Sequence, residues 1–370
     1  MKIERLSQIS ILFIFILVFF YIKVRDYYFF AGYFAIGYFL FGLILNYSKV
    51  SLNKLLILFS IFTLFFVASV FSQGVTFYIA LYNLQYGVIS LLIAYLLVFK
   101  IKDTRALSKL IYFLYVLYLT YLFFSIGFED DEAYNVVFEG SSRNYLSGIL
   151  IFLAINVGIS HEKSNEKQPL LVYIITFVCC YFLYGRSGIL LSSALLLYAI
   201  YQRNSKLLIF LFVFSLVYFF TSSFFWELLE KIQTSSNFSR GFSSDRTLFL
   251  IEYLDRIDFK SIILGRNFDE CCQLIVEFER NPHNSFITGH SRYGILHTLM
   301  AILILIYILS SRNLTLIVLS LIVYGRYFLD QMGLFTYFDV VLFQLLLLVR
   351  YKNNKTAVVK YSDPENNCTC

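Results

Sequence analysis

Apolar runs of about 15 to 25 residues, separated by short charged punctuation, follow one another along nearly the whole chain. A hydrocarbon core of roughly 30 Å takes about 20 helical residues to cross. Only helices can pass through it in such segments, because every backbone N–H and C=O must then be satisfied within the segment. The pattern predicts about twelve transmembrane helices, at 6–22, 27–46, 55–71, 77–99, 110–127, 145–160, 169–184, 188–201, 207–225, 284–309, 314–329 and 335–349. The first run follows Lys2 and Arg5 as a signal peptide does. What comes after it is Lys23-Val24-Arg25-Asp26 rather than a small-residue cleavage pattern, so it reads as a retained span. No repeat of fixed period and no Pro/Gly-rich linker divides the chain. The expected fold class is an all-α polytopic integral membrane protein, one membrane domain over residues 1–370, with one large outer loop at 226–283.

Composition sharpens that class. Hydrophobic residues make up 59% of the 370, charged residues only 15%, and the mean hydropathy is +0.72, which excludes a soluble domain. Aromatic residues reach 20%, and lipid-facing or interfacial anchoring accounts for much of that. Lysine and arginine set the direction of the spans. With the N-terminus in the cytoplasm the inner segments hold 17 of them, and the short outer loops hold four: Lys23, Arg25, Arg143 and Arg186. Both termini are then cytoplasmic. The outer segment 226–283 carries seven basic and ten acidic residues. A balance of that kind is no polybasic patch, and no nucleic-acid partner is expected.

Candidate chemistry gathers at the outer ends. Between Pro169 and Tyr201 the only charge is Arg186, in Gly185-Arg186-Ser187-Gly188. A cation held below the membrane surface is costly, which makes it a functional candidate; the simpler alternative is an arginine snorkelling to the headgroups. Ser243-Ser244-Asp245-Arg246-Thr247 opens an amphipathic stretch with Leu250, Leu254 and Ile257 expected on its apolar face. Ser244 suits the N-cap and Asp245 the positive end of the dipole, whereas Arg246 is repelled there. A residue that defies its local preference is a candidate for function, and an Asp245–Arg246 surface pair is the alternative. In Arg280-Asn281-Pro282-His283-Asn284-Ser285, Asn281 reads as a cap and Pro282 as the first helical residue. That puts His283 and Asn284 in a first turn whose free N–H groups favour a phosphate. His290 and His297 follow at intervals of seven, about 10.5 Å apart along a helix, too far to share a metal ion. His283 is the proton-transfer candidate, and His297 reads as packing. Arg326 and Asp330, one turn apart, read as a structural pair. Glu129-Asp130-Asp131-Glu132 offers carboxylates to Mg²⁺ or Mn²⁺, but no spacing places them on one face, and a solvated acidic loop is the preferred reading. The cysteine pairs 179–180, 271–272 and 368/370 have neither zinc nor thioredoxin spacing.

The segment Pro282-His283-Asn284 through Gly294 resembles the signature of the O-antigen ligase and O-antigen polymerase superfamily. In that pattern a His followed by Asn, Ser or Gln precedes nine residues, a Gly, two residues, and a Gly, Thr or Tyr. His283, Asn284 and Gly294 match, and His297 departs from it. GRSG around Arg186, Arg246 opening a helix, Ile263-Leu264-Gly265 and the large loop before the His motif agree in order, over roughly the C-terminal two-thirds. The resemblance implies a glycosyltransferase C-like fold in the inner membrane of a bacterium. It implies polymerisation of polyprenyl-diphosphate-linked repeat units on the periplasmic face, with a chain-length regulator protein as a further partner and no cofactor. In these terms Arg186 and Arg246 hold the diphosphate and His283 activates the acceptor. Arg143, Asn284, Arg266 and Arg280 are further substrate-binding candidates. Transfer of finished polymer to lipid A core (a ligase) and flipping of lipid-linked sugars (a transporter) are the alternatives. Against a transporter, the three prolines lie at span ends or in the tail, and no repeat is evident.

Overall fold

The computed structural model describes residues 2–24, 26–47, 52–72, 77–128, 132–138, 142–206 and 245–362. Among them regular structure is helical throughout, with no strand. The first eight helices are α1 (Lys2–Val24), α2 (Tyr27–Tyr47), α3 (Leu52–Phe71), α4 (Phe77–Tyr95), α5 (Arg105–Ile126), α6 (Arg143–Lys163), α7 (Leu170–Phe182) and α8 (Arg186–Arg203). Four short helices of the loop region follow: α9 (Asp245–Leu254), α10 (Phe259–Leu264), α11 (Phe268–Cys271) and α12 (Gln273–Glu277). The last four are α13 (Ser285–Tyr293), α14 (Ile295–Leu309), α15 (Leu314–Leu329) and α16 (Asp339–Ser362). Among the described residues five stretches are long and apolar enough to cross a membrane: Glu4–Val24, Tyr28–Asn46, Leu81–Lys100, Arg105–Ile126 and Arg143–Lys163. Phe59–Phe71, Leu170–Phe182, Ile295–Ser310 and Leu314–Leu329 are shorter apolar helices. The expected span at 207–225, the cap at Ser244 and the carboxylates of residues 129–131 lie outside the described residues.

The contacts at the ends of the described helices divide into two sets. At one end the Glu4 carboxylate accepts from the Lys102 backbone N–H at 2.8 Å, Arg105 pairs with Asp103 and Glu166, and Lys352 pairs with Glu162. Asn313 also donates to Glu162, at 2.9 Å. Lys163 donates to the carbonyls of Leu97 and Ile101, which the π-helical turn Leu96–Lys100 leaves without a helical partner at the end of α4. These are the segments whose lysines and arginines the sequence placed together on the inner side. The opposite end gathers the starts of α4, α6, α8, α13 and α16 with the ends of α1 and α15.

Between the ends, the main core is built from α5, α6, α7, α8, α15 and α16, with Leu146, Leu150, Ile155, Leu195, Leu319 and Leu345 fully buried. Close approach here depends on small residues, as is usual where helices meet without water to drive them together. A Cβ on Gly148 would lie 2.5 Å from Met332 Sδ and 2.7 Å from Arg326 Nε, so its absence makes the room for that guanidinium. Gly188 does the same for α8 against Ser147 of α6.

Two helices differ from the sequence expectation. On α9 the buried face is Phe249 and Tyr253, packed with Phe268, Cys272 and Ile275, whereas Leu254 is exposed. The two aromatic rings, offset by one helical turn, bury more surface than the leucines and set the rotation. The span beginning near His283 is not one rod. It breaks at Gly294 (φ +59), where α13 ends and α14 starts, because a Cβ there would lie 1.8 Å from the Ile263 carbonyl of α10. Cys271 and Cys272 are joined as a disulfide, and Cys179 and Cys180 are buried and free.

Candidate functional site

Asn284 settles the geometry around His283. Its Oδ1 accepts from the N–H groups of Phe286 and Ile287, so Asn284, not Asn281, caps α13. Asn281 instead accepts from the His283 backbone N–H, and His283 sits outside the helix at φ +48. The N–H groups expected to await a phosphate are therefore taken by the cap, and the Asn284 side chain is occupied with it. His283 points across to the end of α15. The bridge is Ser285: its hydroxyl donates to the Asp330 carbonyl at 2.7 Å and accepts from the N–H groups of Met332 and Gly333, each at 2.9 Å. This fastens the 330–333 turn to the start of α13.

The turn delivers Asp330, and three basic side chains converge on its carboxylate. Arg326 Nη2 lies 2.8 Å from Oδ2, Arg246 Nη2 lies 3.6 Å from Oδ1, and His283 Nδ1 lies 3.8 Å from Oδ1. The Arg326 contact is off the N–H direction, an ion pair rather than an aligned hydrogen bond, since Oδ2 has no hydrogen-bond donor. Arg326 is wholly buried and spends its other N–H groups on Ser187 Oγ at 2.7 Å and on the Asn144 carbonyl. Burial works against the Asp330 carboxylate, but Arg326, His283 and Arg246 together hold its pKa below the ordinary carboxylate range. His283 stacks over Phe249 of α9, the helix that carries Arg246 in its first turn.

Arg186 begins α8, half-buried, next to the Ser187 whose hydroxyl Arg326 holds. Arg143 begins α6, buried, with Asn135 Oδ1 accepting from its backbone N–H at 3.0 Å. Arg266 is turned the other way, donating to the carbonyls of Tyr253 and Asp255, and Arg280 pairs with Asp269 on the surface at 2.8 Å. Of the seven site residues expected from sequence, the structure brings Arg246 and His283 onto one carboxylate. It sets Arg186 one residue from that cluster and gives Arg266, Arg280 and Asn284 local structural contacts. The Arg326–Asp330 pair, expected to be structural alone, is the centre of the cluster. His290 bonds to Tyr253 and to the Ile262 carbonyl, while His297 is fully buried against Tyr293.

His283 and Asp330 open onto a cavity of about 770 Å³. Its walls come from α1, α4, the start of α6, the end of α12, α13 and the 330–337 turn, and they mix aromatic rings with amides. Tyr82 and Tyr86 pack edge to face, as do Tyr86 and Tyr337. Among the described residues no three His, Cys, Asp or Glu side chains group as metal ligands.

Fold and composition together define an all-helical protein with several apolar helices of membrane-spanning length, compatible with a helical membrane protein. No protein-family model, no curated protein and no solved structure matches the chain.

Proposed function

We propose that the chain is an O-antigen-type polymerase of a bacterial inner membrane, joining polyprenyl-diphosphate-linked repeat units on the periplasmic side. One observation carries this reading: Arg246, His283 and Arg326 converge on Asp330, Arg326 also holds Ser187 next in the chain to Arg186, and His283 and Asp330 line a large cavity. The acceptor hydroxyl attacks the anomeric carbon of the donor glycan, the bond from that carbon to the diphosphate oxygen breaks, and the diphosphate departs with its electrons. His283 takes the hydroxyl proton, and Asp330 supports the imidazolium that results. Arg186 and Arg246 meet the charge that develops on the leaving diphosphate with rigid forked donors. Both substrates carry a membrane-embedded lipid, which suits a site at the end of apolar helices. The lysine and arginine bias of the loops supports the outward-facing orientation.

The test is repeat-unit polymerisation with purified protein and lipid-linked repeats at matched expression. His283→Ala abolishes transfer, and Arg186→Lys is nearly as damaging as Arg186→Ala, because lysine keeps the charge and loses the fork. Full activity of either His283→Ala or Arg186→Lys overturns the assignment. In a deletion strain, loss of the polysaccharide ladder with one repeat retained supports the polymerase. Polymer kept off the core identifies a ligase, and repeats trapped on the cytoplasmic side identify a flippase.

A further inference from the structure

Arg292 is the cavity's second strong feature, and the reaction above does not use it. It lies in the last turn of α13, half-buried, and lines the same cavity as His283 and Asp330. Unlike Arg246 and Arg326 it has neither an ion pair nor a hydrogen bond among the described residues. The negative end of the helix dipole favours a cation at that position, which explains why it is tolerated but supplies no counter-ion. Three acids also line the cavity. Asp330 is matched by Arg246 and Arg326, and Glu277 and Glu279 are exposed. Among the described residues Arg292 is therefore a cation without a counter-ion, facing a polar and aromatic space. The seven residues from Ser285 to Arg292 rise about 10 Å along the helix, so this cation stands well away from the reacting centre at His283 and Asp330, with room for sugar between them.

We propose that the cavity binds an anionic sugar and that Arg292 reads its acid group. The inference rests on the polymerase reading and names the substrate class for the same site. A pyranose ring presents an apolar C–H face, which Tyr82 and Tyr337 can pack against, and hydroxyls that suit the amides of Asn83, Asn135 and Gln331. A carboxylate or acidic substituent on that ring then pairs with the guanidinium. A neutral sugar leaves the half-buried cation unmatched, so the arginine selects as well as binds.

The experiment is calorimetric titration of the detergent-purified full-length chain with cellobiouronic acid, with cellobiose and with inorganic diphosphate. The wild type binds the acidic disaccharide about tenfold more tightly than the neutral one, the scale of one charge-assisted hydrogen bond. Arg292→Gln removes that preference and leaves diphosphate affinity unchanged, and Arg292→Lys retains part of the preference. Equal wild-type affinity for the two disaccharides overturns the proposal whether or not the variants fold. So does an Arg292→Gln chain that keeps the preference, or one that loses diphosphate affinity, which would make Arg292 part of the diphosphate site. Binding needs no turnover, so the two readings fail separately. A chain that prefers the acidic sugar yet elongates no lipid-linked repeat overturns the polymerase alone.

Discussion

Asp330 holds the cluster's charges in balance. Removing its charge by Asp330→Asn leaves Arg326 buried beside an unmatched Arg246, and breaking a buried pair in this way costs about 3–5 kcal/mol. A fall in the melting temperature of the purified protein, together with loss of transfer, is the expected result. Because the folded carboxylate titrates below its unfolded value, its contribution is fully present above the unfolded carboxylate range of about 4 and is lost as the pH falls below it. Melting temperature therefore holds from pH 7 to 5 and drops below about pH 4, and a drop beginning at pH 6 would contradict it. Arg186, Arg246 and His283 were legible in the sequence because each stood against its local surroundings: a lone cation in an apolar run, a cation at a helix start, a histidine beside a proline. Asp330 was not, because at one-turn spacing from Arg326 it already had a partner that explained it. Nothing local marked Arg266 and Arg280 as occupied, since their partners lie 11 to 13 residues away.

At the scale of the element, continuous apolar runs gave the helices directly, as in α1, α5 and α6. The break inside 284–309 was hidden because a single glycine is tolerated within a helix, and only the approach of α10 from elsewhere in the chain demands it. A prediction separates that glycine from an incidental one. Gly294→Ala forces a side chain into a backbone conformation that is nearly glycine's alone and against the Ile263 carbonyl, at a cost of about 1–3 kcal/mol or more. Gly42→Ala, within α2 and with nothing within 4 Å of the added carbon, gains about 0.5–1 kcal/mol. Thermal unfolding of the two variants in the same detergent checks both signs. The apolar face of α9 differs from the expected one for a related reason: with Leu248, Leu250, Ile251 and Leu254 all apolar, periodicity alone leaves the rotation open, and aromatic packing decides it.

For the whole molecule, the inward and outward ends expected from lysine and arginine placement coincide with the two ends at which the described helices gather. Cysteine labelling assigns those ends to the two sides of the membrane. In a chain with its native cysteines replaced, Glu279→Cys reacts with an impermeant maleimide applied to the outside of intact cells, and Asn165→Cys does not. The opposite result reverses the molecule and removes the site from the outer face. The end bearing Asn165 is also where salt bridges and lysine-to-carbonyl bonds join α1, α4, α5, α6, α15 and α16. That end acts as a fulcrum. With that end cross-linked by charge and the cavity at the other, any flexing of the bundle is expected to change the width of the cavity while the cross-linked ends stay still. Hydrogen exchange should then be slower over residues 96–109 and 160–168 than over the exposed cavity rim at 277–281, with added lipid-linked substrate slowing only the latter.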